Sequence, residues 1–158
     1  MYKALLVDDE PRIVNGLREL LQWEEFGIEI AGVAGSGAEA LQLFEKMTFS
    51  ILITDISMPE MNGLELIRRV KQIDGAVKTI VLSGYDDFNY VKEATRLGIE
   101  NYLLKPVVSD ELASTLLSVI EKINQETERQ IQIRSDAHIL KNNILNRWMT
   151  NHISYGNL

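Results

Sequence analysis

The sequence contains no cysteine, and it has only three prolines among its 158 residues. Without cysteine the chain can form neither a disulfide framework nor a thiolate metal site, so we expect a cytoplasmic protein. No stretch approaches the roughly 20 uncharged apolar residues of a membrane-spanning helix, which predicts no membrane insertion. The formal net charge of −7 makes this chain by itself a poor binder of nucleic acid. An apolar fraction of 46% excludes a disordered chain, and the length suits one domain with a short appendage.

Short apolar runs alternate with amphipathic stretches over the first two-thirds of the chain. Runs such as Ile80-Val81-Leu82 are apolar on both faces, as in a parallel sheet that helices cover on both sides. The alternation predicts an α/β protein: a doubly wound, five-stranded parallel sheet with five helices. The predicted strands are Lys3–Val7, Glu29–Ala34, Ser50–Thr54, Lys78–Ser83 and Asn101–Leu104.

The composition changes near residue 124. Residues 124–158 hold three acidic and four basic side chains, against 20 and 12 in residues 1–123. We therefore predict a domain over 1–123 and a helical extension over 124–158. One face of this extension is apolar at helical spacing, whereas a continuous heptad would put Thr127, Arg134 and Lys141 in the contact line and argues against one long coiled coil. The residues of the apolar face are Ile133, Ala137, Leu140, Ile144 and Trp148.

Polar residues follow four of the five predicted strands. The first strand ends at Asp8 and Asp9, the third at Asp55, the fourth at Ser83 and the fifth at Lys105. Functional groups of open parallel sheets gather at the carboxyl ends of the strands. We therefore expect three carboxylates, one hydroxyl and one amine to meet at one edge of the sheet.

This set of side chains indicates phosphoryl chemistry. Carboxylates held close together repel each other unless a cation neutralises them or one of them binds a proton. With neither histidine nor cysteine nearby, an all-oxygen ligand set favours Mg²⁺, for which Mn²⁺ can substitute. A carboxylate beside such an ion can attack a phosphoryl group and form an aspartyl phosphate, while a lysine neutralises phosphoryl oxygens.

The sequence resembles the receiver domain of two-component response regulators from Lys3 to about Ile123. The resemblance implies a flavodoxin-like fold with strand order 2-1-3-4-5, and a sensor histidine kinase as the phosphoryl donor. It also implies no enzymatic activity beyond self-phosphorylation and self-dephosphorylation. The matching segments are Val7–Glu10, Asp55–Gly63, Ser83–Tyr85 and Tyr102–Pro106.

Four positions take the family's phosphoacceptor and metal roles. Asp55 matches the phosphoacceptor. Asp8 and Asp9 match the acidic pair that holds Mg²⁺, with Asp9 as the direct ligand. Ser57 matches the position whose backbone carbonyl binds the metal.

Four further positions take the family's switching roles. Ser83 matches the hydroxyl that turns towards the phosphoryl group, and Lys105 matches the lysine that pairs with it. The bond between Lys105 and Pro106 matches one that is cis in the family. Tyr102 matches an aromatic position that rotates between exposed and buried, although a static, half-buried strand tyrosine is an equally good interpretation.

Two other classes of protein share parts of this pattern. A phosphatase of the haloacid-dehalogenase type needs a second Asp two residues after its nucleophile, and here that residue is Ser57. A flavodoxin-like flavin binder needs a phosphate-binding loop after the first strand, where the acidic Asp8-Asp9-Glu10 would repel a phosphate. Both alternatives are disfavoured.

Such a receiver could pass on its signal in two ways. The segments Leu82–Phe88 and Leu103–Val107 look like those of regulators that carry an AraC-type DNA-binding domain, which this sequence does not contain. The apolar-faced extension favours such a transcription regulator, binding DNA only through that domain, over a stand-alone receiver that signals by protein contact. We also expect a homodimer through the receiver and the extension, strengthened by phosphorylation.

Overall fold

The fold comes from a computed structural model of the chain, which describes residues 1–84 and 89–156, with side chains up to residue 148. Over these residues the strands and α-helices alternate along the chain, as the sequence predicts. Within the same ranges no helix is both long and apolar enough to cross a membrane. The elements are β1 (Tyr2–Val7), α1 (Pro11–Leu20), β2 (Ile28–Ala34), α2 (Gly37–Lys46), β3 (Ile51–Asp55), α3 (Gly63–Ile73), β4 (Lys78–Ser83), α4 (Val91–Arg96), β5 (Asn101–Leu104) and α5 (Ser109–Gly156).

The five described strands form one parallel sheet in the order β2-β1-β3-β4-β5. This confirms the predicted doubly wound fold and its strand order. The chain reverses its direction of winding between β1 and β3, which is where such sheets place their functional groups. The three inner strands are apolar on both faces because helices cover the sheet from both sides, as Leu5, Leu52 and Val81 illustrate by being fully buried.

A short 3-10 helix at Trp23–Phe26, between α1 and β2, is absent from the sequence prediction. Its end is fixed by Gly27, whose φ of 71° lies in the left-handed region that glycine adopts without strain. The indole of Trp23 is buried, and its Nε1 donates a hydrogen bond to the carbonyl oxygen of Leu17 at 3.0 Å. The segment is too short to show a helical period, which is why the sequence pattern misses it.

The sequence predicts a fourth helix over Asp86–Leu97, and Asp86 lies outside the part of the chain that the structure describes. Its described portion is α4, Val91–Arg96, preceded by a single turn at residues 89 and 90. Gly98 follows with a φ of 71°, the left-handed conformation in which glycine commonly ends a helix.

The chain divides into two units, Met1–Val119 and Ile120–Leu158. The first contains the sheet, α1 to α4 and the first turns of α5. In the second, every described side chain from residue 124 to residue 148 is exposed. The predicted assignment of 1–123 to a receiver and 124–158 to a linker stays a prediction.

Candidate functional site

The register of the sheet brings the ends of β1, β3 and β5 to one edge. Val7 of β1 lies opposite Thr54 of β3, so the next residues, Asp8 and Asp55, are adjacent. On the other side of β3, Asp55 lies opposite Leu82 of β4. The backbone N–H of Lys105 donates to the carbonyl oxygen of Ser83 at 2.7 Å, which holds the end of β5 level with the end of β4.

A lysine bridges the two buried carboxylates of this edge. The Nζ of Lys105 lies 3.0 Å from Oδ2 of Asp8 and 3.2 Å from Oδ1 of Asp55. The side chain of Asp8 is 1% exposed and that of Asp55 is 7% exposed, whereas Lys105 reaches in from solvent with 22% of its side chain exposed. The other oxygen of Asp8 accepts a hydrogen bond from the backbone N–H of Glu10 at 2.9 Å.

The environment of both carboxylates opposes their ionisation. Burial is the largest cause that raises the pKa of Asp8, and hydrogen bonds from the Glu10 backbone and from Lys105 offset it only in part. Burial also raises the pKa of Asp55, and the neighbouring negative charge of Asp8 raises it further against the attraction of Lys105. The site therefore holds more negative charge than its own lysine neutralises.

The pKa of Lys105 is also raised, but for an ammonium group this means that the charged form is favoured. Burial by itself lowers the pKa of its ammonium group, but the hydrogen bond to Asp8 and the charges of Asp55 and Asp8 outweigh it, so that the net shift is upward. Lys105 is consequently a permanent cation at neutral pH, held between two acids.

Three carboxylates at this edge can hold a metal ion. One oxygen from each of Asp8, Asp9 and Asp55 lies within 4.8 Å of the other two, with Asp9 exposed to solvent and the other two buried. A hard divalent cation such as Mg²⁺ prefers carboxylate and carbonyl oxygens and keeps several of its waters, which the exposed side of Asp9 allows. The donor set and the uncompensated charge fit such an ion.

The loop after β3 is folded tightly against the phosphoacceptor candidate. The N–H of Gly63 donates to the carbonyl oxygen of Ile56 at 2.9 Å, and Gly63 approaches Asp55 so closely that an added Cβ would collide with the Asp55 carbonyl oxygen. Ser57, the predicted carbonyl ligand, is exposed in this loop. It lines a cavity of about 440 Å³ beside the loop, together with Tyr90.

The two predicted switch residues are in direct contact with each other. The hydroxyl of Tyr102 donates to Oγ of Ser83 at 2.7 Å, and Oγ of Ser83 donates to the carbonyl oxygen of Gly84 at 2.9 Å. Ser83 is buried and Tyr102 is half-buried. The peptide bond between Lys105 and Pro106 is cis.

Sequence reasoning missed several parts of the site. The N–H of Glu10 holds the Asp8 carboxylate, and the Thr54 hydroxyl donates to the main-chain carbonyl oxygen of Asp55 at 2.9 Å. The pairing of Tyr102 with Ser83 was also not predicted. Their positions near the ends of adjacent strands were a usable signal, because cross-strand neighbours of parallel strands lie side by side.

Part of one predicted motif cannot be placed. Residues 85–88, which contain the Tyr85-Asp86-Asp87-Phe88 segment used for the AraC-type subgroup, lie outside the described residues. The subgroup therefore depends on comparison with known proteins rather than on the geometry of this segment.

A protein-family model described as "Response regulator receiver domain" matches residues 4–117. The chain is 38% identical over 139 residues to a transcriptional regulatory protein, YesN, of Bacillus subtilis, covering 88% of this chain and 37% of that protein. It is 32% identical over 138 residues to the transcriptional regulatory protein HptR of Staphylococcus aureus, covering 87% of this chain and 54% of that protein. The chain thus spans about half or less of the length of these relatives.

Solved structures of response regulators also match this chain. The receiver (REC) domain of AraT, a response regulator from Geobacillus stearothermophilus, matches with a TM-score of 0.76 and 40% identity, covering 80% of this chain and 98% of that one. A two-component transcriptional regulator AraC from Clostridium phytofermentans matches with a TM-score of 0.71 and 29% identity, over 80% of this chain and 98% of that one.

Proposed function

Because the chain belongs to the response regulator receiver domain family, we propose that Asp55 accepts a phosphoryl group from a sensor histidine kinase. The observation that carries the proposal is the buried Asp55 carboxylate, which lies 3.2 Å from the Lys105 ammonium and beside Asp8 and Asp9. Each of these residues then has a role that its position supports.

In the proposed transfer, an oxygen of the Asp55 carboxylate attacks the phosphorus atom of a phosphohistidine. An O–P bond forms, the P–N bond breaks, and the imidazole leaves with the bonding electron pair. With a small donor such as acetyl phosphate, a P–O bond breaks instead and acetate leaves. Lys105 then pairs with the phosphoryl oxygens, since its ammonium is already held against Asp55.

The metal ligands in this proposal are Asp8, Asp9, Asp55 and the backbone carbonyl of Ser57. Mg²⁺ bound there would neutralise charge on the carboxylates and the phosphoryl oxygens, and Mn²⁺ is a chemically reasonable substitute. Before any donor arrives, Lys105 offsets part of the repulsion between the two buried acids. The bond from the Glu10 backbone orients Asp8 with one oxygen turned away from the lysine.

The proposed conformational response begins at Ser83. Its hydroxyl is bonded to Tyr102 and to the Gly84 carbonyl oxygen, and turning towards a phosphoryl group would break the second of these bonds. Tyr102 would follow its partner inward. The new charge and acceptor oxygens of the phosphoryl group supply the driving force for this movement.

The proposed output is transcription, through a DNA-binding domain that a longer protein would carry. This is supported by the transcriptional regulatory relatives, which are longer than the chain, and by the structural likeness to AraT and AraC regulators. The alternative is a stand-alone receiver that signals by protein contact. Reading the gene beyond codon 158 distinguishes the two, because only the first requires an in-frame DNA-binding domain.

The phosphorylation proposal is tested with acetyl phosphate and intact-protein mass spectrometry. We expect one phosphoryl adduct on the wild type with Mg²⁺ and none in EDTA. Asp55→Asn should show no adduct, and Lys105→Ala should be slower by about 100-fold because charge stabilisation of the transfer is lost.

Asp110→Asn is the matched control, since Asp110 is an exposed carboxylate in the first turn of α5. This variant should be phosphorylated like the wild type. An adduct on Asp55→Asn at the wild-type rate would overturn the assignment of the phosphoacceptor.

A further inference from the structure

The second unit of the chain presents an apolar stripe that no described part of the chain covers. Ile133, Leu140 and Ile144 are 60%, 61% and 59% exposed, and Ala137 between them is also exposed. These four residues, here called the linker seam, recur at intervals of four, three and four residues on α5. Most of the stability of a helix in a protein comes from packing such a face, so an uncovered seam favours association.

The linker seam follows the contact pattern of a two-stranded coiled coil. In one heptad register Ile133 and Leu140 occupy d positions, while Ala137 and Ile144 occupy a positions. The same register places Glu126 and Gln130 in the two preceding core positions, where polar side chains oppose pairing. The favourable contact is therefore confined to a short segment that begins at Ile133.

The charges beside the linker seam identify the occupant and its direction. In a parallel pair of identical helices, Asp136 (position g) faces Lys141 (position e) of the other copy, which gives two opposite-charge contacts. In an antiparallel pair, two e positions meet and Arg134 faces Lys141, which is repulsive. One oxygen of Asp136 accepts a hydrogen bond from Nε2 of Gln132 at 2.9 Å, which leaves the charge of the carboxylate available to Lys141 of the other copy.

Like charges also determine where along the helix the pairing begins. In the parallel arrangement Arg129 faces Arg134 of the second copy, directly before the linker seam begins. This repulsion and the polar core positions at Glu126 and Gln130 act together. Both favour helices that are separate before Ile133 and in contact from Ile133 onward.

We propose that the linker seam binds a second copy of this chain as a short, parallel, two-stranded coiled coil over residues 133–144. The test uses the chain without a phosphoryl donor, so its outcome does not depend on the proposed phosphoryl chemistry.

The first experiment is sedimentation equilibrium of the whole chain, without a phosphoryl donor, from about 5 to about 500 µM. We expect a reversible monomer–dimer equilibrium. Leu140→Lys should weaken the dimer by at least about tenfold because it puts a charge into the seam.

Ile139→Lys is the matched control. Ile139 is the preceding residue on the same helix and is 54% exposed, but it lies off the linker seam. It should associate like the wild type, with both variants equally helical by circular dichroism. A monomeric wild type throughout the range, or equal weakening by both substitutions, would overturn the proposal.

The second experiment tests the direction of the helices, and it exploits the absence of cysteine from the chain. Ile133→Cys should form disulfide-linked dimers when oxidised by air with copper phenanthroline, because residue 133 meets its own copy only in a parallel pair. Ile131→Cys, an equally exposed position off the seam, should link much less. Equal cross-linking at the two positions, or none at residue 133, would contradict parallel pairing.

Discussion

At the scale of single residues, the site holds a charge that is balanced only in part. Lys105 is the one ammonium group in contact with Asp8 and Asp55 among the described residues, and Asp9 adds a third carboxylate. The upward pKa shifts of Asp8 and Asp55 show that burial outweighs the attraction of the lysine. A folded chain with such a site is less stable than its packing alone would make it, and the excess charge is available to bind a cation.

This imbalance predicts how Asp55→Asn changes stability with pH. A raised carboxyl pKa means that the folded state binds the proton more tightly than the unfolded chain does. Stability therefore falls as the pH rises from the ordinary value of 3.8 through the raised folded pKa, and the penalty is complete above it. Asp55→Asn should gain about 1 kcal/mol at neutral pH, because Lys105 keeps Asp8 as its partner at 3.0 Å.

Urea unfolding in EDTA from about pH 7.5 to about pH 4.5 measures this difference. The gain of Asp55→Asn over the wild type should shrink as the pH falls. Asp110→Asn removes an exposed carboxylate and controls for the change in net charge. A gain for Asp55→Asn that grows on acidification would mean that the Asp55 carboxylate is stabilised in the fold.

At the scale of secondary structure, the connection from β3 to α3 positions Asp55, the proposed phosphoacceptor. The loop returns onto its own strand, so that the N–H of Gly63 reaches the Ile56 carbonyl oxygen and its Cα faces the Asp55 carbonyl. Only a residue without a Cβ allows this approach. Asn62 caps the helix that follows, accepting a bond from the N–H of Glu65 at 2.9 Å.

Replacing a glycine by alanine should have opposite effects on stability in α3 and in α1. Gly63→Ala should destabilise the fold by about 2 kcal/mol, since the new methyl group must displace backbone at Asp55. Gly16→Ala should stabilise it by about 0.5 to 1 kcal/mol, because Gly16 lies inside α1 with nothing within 4 Å of an added Cβ. Chemical denaturation of both variants checks the pair, and a stable Gly63→Ala protein would contradict the close approach.

Sequence patterns predicted the elements of the sheet better than its connections. Ile80-Val81-Leu82 is apolar on both faces, as an inner strand of a covered sheet requires, and it lies in β4. The correct strand order came from the family resemblance. The 3-10 turn at Trp23–Phe26 escaped because it is stabilised by a tertiary bond from Trp23 to Leu17 rather than by a local period.

The candidate site, too, could be predicted from the sequence only in part. The convergence of Asp8, Asp55 and Lys105 could be predicted because parallel strands end at one edge, whatever the loops do. The nearness of Tyr102 to Ser83 could be inferred from their adjacent strands, but the hydrogen bond between them could not, because it depends on the rotamers of both side chains. Sequence reasoning therefore reached the composition of the site but not its hydrogen bonds.

At the scale of the whole molecule, the negative charge of the chain is concentrated in the part that holds the site. Residues 1–123 carry 20 acidic and 12 basic side chains, whereas residues 124–158 are nearly balanced. The acidic excess favours the approach of cations to the site, and the nearly balanced extension would limit the net charge repulsion between two copies in the proposed pair. The two proposals thus use different parts of the charge distribution.

Mg²⁺ should raise the melting temperature of the wild type, because an ion that binds only the folded state stabilises it by mass action. At about ten times the dissociation constant the gain is about 1.4 kcal/mol, which corresponds to a rise of about 5 °C for a domain of this size. Asp9→Ala should lose this response.

In EDTA the same variant should melt slightly above the wild type, because the charge of Asp9 is one of the causes that raise the pKa of its neighbour Asp8. Differential scanning calorimetry with and without Mg²⁺ measures both effects, and Asp110→Asn should keep the full response to the ion. A wild type whose melting temperature does not respond to Mg²⁺ would show that these carboxylates do not bind the ion. An Asp9→Ala variant that melts below the wild type in EDTA would show that they do not repel one another.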